Sequence, residues 1–286
     1  MKKIIALVMS IILALGCLAA CGAPTADVAT TTAAAGTEAA EATTAAAEET
    51  KVADSDMAYV TENGKIVVGI TEYAPMDYKD ENGEWTGFDA ELAKMFAEEM
   101  GVTCEFFVIA DWGKKFLELD TKQIDCVWNG MTITEEALSN ASVSDPYVVN
   151  AQVVVMKADA VANYADVESM KELTFAVEEG SAGQSVATEA GLKTISKQDQ
   201  AGALMEVAAG TADACVIDIT MANAMTGEGT DYADLAVGIS LSSEEYGVAF
   251  RVGSDLTAKF NEFMAAKKAD GSLQALAEKY QLTLAE

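Results

Sequence analysis

The sequence predicts an α/β protein of two lobes with a ligand cleft between them, and three observations carry that reading. The chain has 286 residues, of which 51% are hydrophobic, so there is material for two modest domains with buried cores. Apolar runs of strand length alternate with segments whose apolar residues recur at helical spacing, the pattern of βαβ units and a parallel sheet. The alternation runs once to about residue 150 and starts again near Ala151. Two such units have a natural crevice at their interface.

The N-terminal residues lie outside that pattern. Lys2 and Lys3 precede an almost wholly apolar run, residues 4–15, which is too short to span a bilayer and suits a signal peptide. Leu18-Ala19-Ala20-Cys21-Gly22 closes the run. Small residues before a cysteine resemble the lipoprotein-processing box, so residues 1–20 are expected to be removed and Cys21 to carry lipid. Cys17 matches that box less well, and an ordinary signal peptide with an incidental cysteine is the plainer alternative. Residues 21–56 are mostly Ala, Thr and Glu with scarcely a large apolar side chain. Such a composition cannot offset its ordering entropy by burial, and its acids keep it extended, so it reads as a disordered tether.

Each element of the α/β part has its own signal. Residues 65–70 read as a first buried strand and 79–84 as a turn between short extended pieces. Residues 88–100 carry Leu92, Met95 and Phe96 at helical spacing and stop at Gly101. A strand over 102–109, a short helix over 114–122 and a strand over 124–128 follow. In the second set, 152–156 is apolar, 173–177 and 214–218 read as strands, and helices begin in 180–190 and 202–209. A strand over 247–250 leads into a helical C-terminus marked by Phe260, Phe263 and Met264, then Leu273, Leu276 and Ala277. Cys104, Cys126 and Cys215 each fall inside an apolar strand-like run, too widely spaced for a zinc pattern. They read as small buried hydrophobes, and neither a metal nor another cofactor is expected.

Charge narrows the function. Acids outnumber bases 46 to 18, a net charge of −28, which repels nucleic acid and anionic membranes alike. Contact with a membrane is therefore expected through the lipid anchor only. The chain has no histidine, which removes the commonest general base and the Ser-His-Asp arrangement. An enzyme is not expected.

An ordered series of motifs then points to a family. Glu84-Trp85-Thr86-Gly87-Phe88-Asp89-Ala90-Glu91-Leu92-Ala93 is the first, and Gln123-Ile124-Asp125-Cys126-Val127-Trp128-Asn129-Gly130-Met131-Thr132-Ile133-Thr134 the second. Ser144-Asp145-Pro146-Tyr147, Gly180-Ser181, the segment 213–218 and Lys268-Ala269-Asp270-Gly271-Ser272-Leu273 follow in order. Residues 57–286 thereby resemble the family 3 extracellular solute-binding proteins, which serve polar amino acid importers. The resemblance implies a periplasmic-binding-protein-like fold of type II: two mostly parallel sheets, flanked by helices and joined by a double-crossover hinge. Lobe 1 would be residues 57–150 plus 245–286, and lobe 2 residues 151–244. It further implies a monomer whose lobes close on a small polar amino acid or amine and deliver it to the permease of an ABC transporter.

The same resemblance distributes roles over the site. Tyr73 and Trp112 would lay aromatic rings against the ligand, although either could be core, whereas Trp128 reads as core packing. Asn129, Gly130, Met131 and Thr132 follow the C-terminal end of a strand, the usual crevice of an open α/β sheet. The Gly130 carbonyl would take the ligand ammonium, and the Thr132 backbone and hydroxyl its carboxylate. Ser181 and Ala182 open a helix whose exposed N–H groups favour an anion. A phosphate loop is the rival there, but the Walker pattern is missing. Asp218 would pair with the α-ammonium, or serve merely as the N-cap of a helix through Ile219, Thr220 and Met221.

One departure matters. Amino-acid binders of this family carry an arginine three residues after the position of Thr134, and here that residue is Ala137. The one arginine of the chain, Arg251, falls in a segment that the resemblance places near the surface. Lys114 or Lys115 could substitute only as a flexible point charge. The surviving set of an acid, aromatic rings and backbone acceptors suits a cation. The expected ligand is therefore an amino compound that lacks the carboxylate or has it held by backbone N–H groups, with an ordinary polar amino acid as the alternative. A sensor lipoprotein serving no importer and a dehydratase-like enzyme on this fold are the rival functions.

Overall fold

In the computed structural model, residues 55–286 are described; the expected signal peptide, Cys21 and the tether before Ser55 lie outside the described residues. Ser55 and Asp56, the last two residues of the expected tether, belong to the fold. Ser55 caps α1 (Asp56–Asn63) by accepting a hydrogen bond from the Ala58 N–H. Chain order then runs β1 (Lys65–Ile70), β2 (Tyr78–Lys79), β3 (Trp85–Thr86), α2 (Phe88–Met100), β4 (Thr103–Val108), α3 (Lys115–Asp120), β5 (Cys126–Val127), α4 (Glu135–Asn140) and β6 (Ser142–Val143). β7 (Val148–Asn150) leads to β8 (Gln152–Lys157), β9 (Thr174–Glu178), α5 (Ala182–Glu189), β10 (Lys193–Lys197), α6 (Gln200–Ala209), β11 (Ala214–Asp218), α7 (Ile219–Met225) and β12 (Leu235–Ser240). β13 (Glu244–Tyr246), β14 (Ala249–Phe250), α8 (Leu256–Ala269) and α9 (Ser272–Tyr280) close the chain.

These strands form two sheets of matching plan, ordered β4-β1-β5-β14-β6 and β10-β9-β11-β8-β12. The chain passes from one to the other at β7 and returns at β13, and these two segments pair antiparallel with Val148 opposite Tyr246. The type II architecture with a double crossover is thus in place. The sheets are mixed rather than mostly parallel, however. β4, β1 and β5 run parallel, as do β10, β9 and β11. β14 pairs antiparallel with β5 and β6, and β8 pairs antiparallel with β11 and β12. Helical crossovers dictate the parallel half, while strands next to the crossings enter from the opposite end.

Trp128 lies in the core of the first half, as its place on a strand suggested. Its ring meets Phe260 edge-on at 4.8 Å, and Phe96 packs against Phe260 and Phe263. The C-terminal α8 thereby belongs with α2 and the first sheet. Cys126 and Cys215 are buried, Cys104 is partly so, and all are free thiols. Burial pushes the Cys104 thiol up to about 12, which leaves it inert as a nucleophile.

Arg251 is buried, not near the surface. Its Nε donates to Asp56 of α1 at 2.9 Å and its Nη2 to Asp125 at 2.9 Å, while Nη1 donates to the carbonyls of Leu119 and Ile124. The planar fork suits this arrangement, because four of its five N–H donors meet acceptors on α1, at the end of α3 and at the residues leading into β5. Removing one partner of a buried pair strands the other charge. Arg251→Ala is therefore expected to cost about 3–5 kcal/mol of unfolding free energy, read from denaturant midpoints, with Arg251→Lys intermediate.

Candidate functional site

A cavity of ≈ 360 Å³ lies where the C-terminal ends of β5, β9 and β11 converge between the two sheets. The nine residues assigned to the ligand by the sequence line it, as does Lys115 but not Lys114. Tyr73, Trp112 and the run Asn129, Gly130, Met131 and Thr132 form one wall. Ser181, Ala182 and Asp218 form the other.

Their local chemistry differs from residue to residue. The Asn129 side chain has no capacity left for a ligand. Its Oδ1 accepts from the Thr71 N–H and hydroxyl, and its Nδ2 donates to the Thr71 carbonyl and to Asp77 Oδ2. Asn129 therefore positions the strand end. Gly130 adopts φ +54°, and a Cβ there would come within 2.7 Å of the Tyr73 ring, so only glycine lets the backbone approach. Its N–H donates to Asp89 Oδ2 at 2.6 Å, and the Tyr147 hydroxyl donates to the same oxygen at 2.8 Å. Burial pushes Asp89 up to about 7. The Tyr73 ring faces the cleft, but its hydroxyl joins those of Thr220 and Tyr246 behind it, linking the two halves.

The Thr132 hydroxyl is engaged by a carboxylate of the protein itself, donating to Glu244 Oε1 at 2.8 Å. Ser181 is likewise occupied: Oγ accepts the Gln184 N–H to cap α5 and donates to the Glu178 carbonyl. Among the described residues the N–H groups of Ala182 and Gly183 find no acceptor, as expected of a first helical turn. Gly180, just before them, has φ +73°, and a Cβ there would fall 2.6 Å from Gly113 Cα of the facing wall. Lys115 spans the same rim. Its Nζ donates to the carbonyls of Trp112 and Gly180 at 3.3 Å each and lies 5.1 Å from the Trp112 ring centroid.

Asp218 makes no side-chain cap to α7. Its Oδ1 accepts from Asn150 Nδ2 and from Gln152 Nε2, and its Oδ2 accepts from Gln200 Nε2. The same Asn150 and Gln152 amides also donate to Glu244 Oε1 at 2.7 Å each, so two carboxylates share two amides. Burial, with the Glu244 charge second, pushes Asp218 up to about 7. Glu178 at the end of β9 is pushed up to about 8 by burial and then by Asp218 and Asp199.

Several of these residues escaped the sequence reading. Glu178 stands at the C-terminal end of a strand as Asp218 does, so the same rule could have found it. Asn150, Gln152, Gln200 and Glu244 carry no local signal, since only the two crossings and the start of α6 bring them together. Ala137 is 1% exposed and packs in an apolar cluster with Trp112 and Met131, so it brings no charge to the cleft. Lys115 is the only basic residue on the lining, against Glu135, Glu136, Glu178, Glu189, Asp218 and Glu244. The lining is thus predominantly acidic, with Lys115 at the rim and the N–H groups of Ala182 and Gly183 at the start of α5.

Known proteins share this architecture. Residues 66–283 match the model of the bacterial extracellular solute-binding proteins, family 3. An arginine-binding extracellular protein of Bacillus subtilis is 30% identical over 232 residues, 77% of this chain and 88% of its own. An L-cystine-binding protein of Escherichia coli is 29% identical over 226 residues, 77% of this chain and 84% of its own. Among solved structures, a mutant of ArgBP from T. maritima superimposes with a TM-score of 0.73 at 32% identity, over 79% of this chain and 98% of that one. An ancestral amino acid-binding protein, a precursor of cyclohexadienyl dehydratase, gives 0.72 at 32% identity, over 79% of this chain and 99% of its own.

The raised carboxylates make stability depend on pH. An acid whose folded pKa exceeds its unfolded value favours folding below the unfolded value, and that contribution fades as pH rises through the folded one. Asp89 and Asp218 at about 7 and Glu178 at about 8 place the loss between pH 5 and 8. The ligand-free protein is expected to melt at a higher temperature at pH 5 than at pH 8. Glu178→Gln is expected to flatten that slope.

Proposed function

The chain belongs to the bacterial extracellular solute-binding proteins, family 3, and from that premise we propose that its cleft captures a small, positively charged amino compound and presents it to an ABC importer. The observation that carries the reading is Asp218, buried in the cleft wall and held by three side-chain amides, with no basic side chain paired to it among the described residues. Such a carboxylate is oriented before a ligand arrives, so an incoming ammonium meets an acceptor that needs no rearrangement. The Tyr73 and Trp112 rings add attraction for a cation. Relatives support the class, because their names give arginine, cystine and histidine as what they bind.

The ligand's other end distinguishes this cleft. With Ala137 packed into an apolar cluster, an α-carboxylate would rest on the N–H groups of Ala182 and Gly183 at the start of α5. A ligand without a carboxylate would need nothing there. Closure would bring residues 57–150 and 245–286 onto 151–244, and the contacts of Lys115 with Gly180 and of Tyr73 with Thr220 join those parts at the rim and at the back. The importer's permease would engage that closed form, since hinge closure converts occupancy into shape. Binding without turnover fits a chain that has no histidine, although one structural neighbour is a precursor of a dehydratase.

Thermal shifts with two panels test the reading, one of proteinogenic amino acids and one of amines and betaines without an α-carboxylate. A true ligand at a hundred times its dissociation constant stabilises by about 2.7 kcal/mol. Basic amino acids or amines are expected to shift the melt, and Asp218→Asn to lose the shift. A response confined to acidic or apolar compounds would overturn the proposal. The residues around Cys21 support a lipid anchor in the same extracytoplasmic setting. Cys21→Ser is expected to release the protein from the membrane fraction of producing cells, and retention there would exclude the anchor.

A further inference from the structure

Among the described residues, Asp77, Asp89 and Glu178 each keep a buried carboxylate oxygen without a partner, and of the three only Glu178 lines the cavity. It ends β9 beside β11, which carries Asp218, and it is 4% exposed. Its Oε1 is buried and has no hydrogen-bond partner among the described residues. Buried polar atoms are nearly always partnered, so an orphan oxygen on a cavity wall points to a group that arrives from outside. The neighbouring carboxylates do not share the condition. Both oxygens of Asp218 accept side-chain amides, and Glu244 Oε1 accepts from Thr132, Asn150 and Gln152.

The groups around Glu178 show what the missing partner must be. Asp218 on β11 and Asp199 before α6 repel its charge, and the Lys115 ammonium attracts it. Lys115 is engaged elsewhere, however, by the carbonyls of Trp112 and Gly180, and forms no ion pair among the described residues. A ligand carbonyl or hydroxyl acceptor would add repulsion at this spot. A guanidinium or ammonium would satisfy the oxygen and neutralise the charge together.

We propose that Glu178 forms a second cation subsite, so that the cleft selects ligands bearing two separated positive nitrogen groups, one held at Asp218 and the other at Glu178 Oε1. This rests on the reading that the cleft captures a cationic amino compound, and goes on to assign the residue that discriminates on charge at the far end.

Two isosteric pairs test it by calorimetry on the purified protein at pH 8. Arginine and citrulline differ only in guanidinium against neutral ureido, as do agmatine and N-carbamoylputrescine without the carboxylate. The charged member of whichever pair binds is expected to bind at least about tenfold more tightly, the size of a charged hydrogen bond. Glu178→Gln should bring the two members within about threefold, with the neutral one unchanged. Glu178→Asp keeps the charge and should keep the preference. Equal binding of charged and neutral members by the unaltered protein overturns the subsite while leaving capture intact, as does a preference that survives Glu178→Gln. Binding of neither pair, with thermal shifts from other monocations, overturns the subsite alone. No response to any cation overturns the capture reading as well.

Discussion

The cleft is organised by the burial of Asp218 without a basic side chain to neutralise it. A carboxylate removed from water is costly unless its lone pairs are met, and here three amides meet them. Those amides come from different places: Asn150 from the crossing at β7, Gln152 from the start of β8 and Gln200 from the start of α6. Asn150 and Gln152 also donate to Glu244 at the return crossing, so both passages between the sheets are tied to the recognition site. The price is a carboxyl pushed up to about 7 by burial and by the nearby Glu244 charge. A cation entering the site would reverse that shift.

Elsewhere the molecule resolves buried charge in other ways, and the contrast explains how cations are distributed. Arg251 neutralises Asp56 and Asp125, fastening α1 to the strand region of the first sheet. Asp77 and Asp89 have no cation, and burial drives both upward. Their partners are Asn129, the Gly130 N–H and the Tyr147 hydroxyl. Together they hold the loop that forms one cleft wall. With the arginine placed in the scaffold and Lys115 fixed at the rim, the interior is left acidic. The proposed preference for positive charge would follow from where the few basic residues are used.

Backbone proximity supplies the last constraint. At Gly130 the chain passes against the Tyr73 and Tyr246 rings, and at Gly180 it meets Gly113 across the cleft. Side chains at either place would push the walls apart. The hydroxyls of Tyr73, Thr220 and Tyr246 meet at the back, so the halves are joined at both margins of the cavity. Hydroxyl and carbonyl contacts of this kind can be made and broken during hinge motion at small cost.

Much of this was legible in the sequence, for physical reasons that can be named. Apolar periodicity reports burial of a local face, so β1, α2, β4, β9 and β11 were readable within a residue or two, and the C-terminal residues as helical without bounds. The ordered motifs located a cleft whose walls carry Tyr73, Trp112, Gly130, Thr132, Ser181 and Asp218. Other features have no local signature. The three-residue strands β7 and β13 have too few positions for a period, while β5 and β14 were read as strands but longer than they are, over 124–128 and 247–250. The roles of Asn129 and the Thr132 hydroxyl, and the burial of Arg251, depend on partners far along the chain. Composition and motif determined that this is an acidic, two-sheet binding protein of a known family. Only the tertiary structure decided which carboxylates are fully partnered and that Glu178, on the cavity wall, keeps a buried oxygen without a partner among the described residues, because hydrogen-bond satisfaction belongs to a three-dimensional neighbourhood.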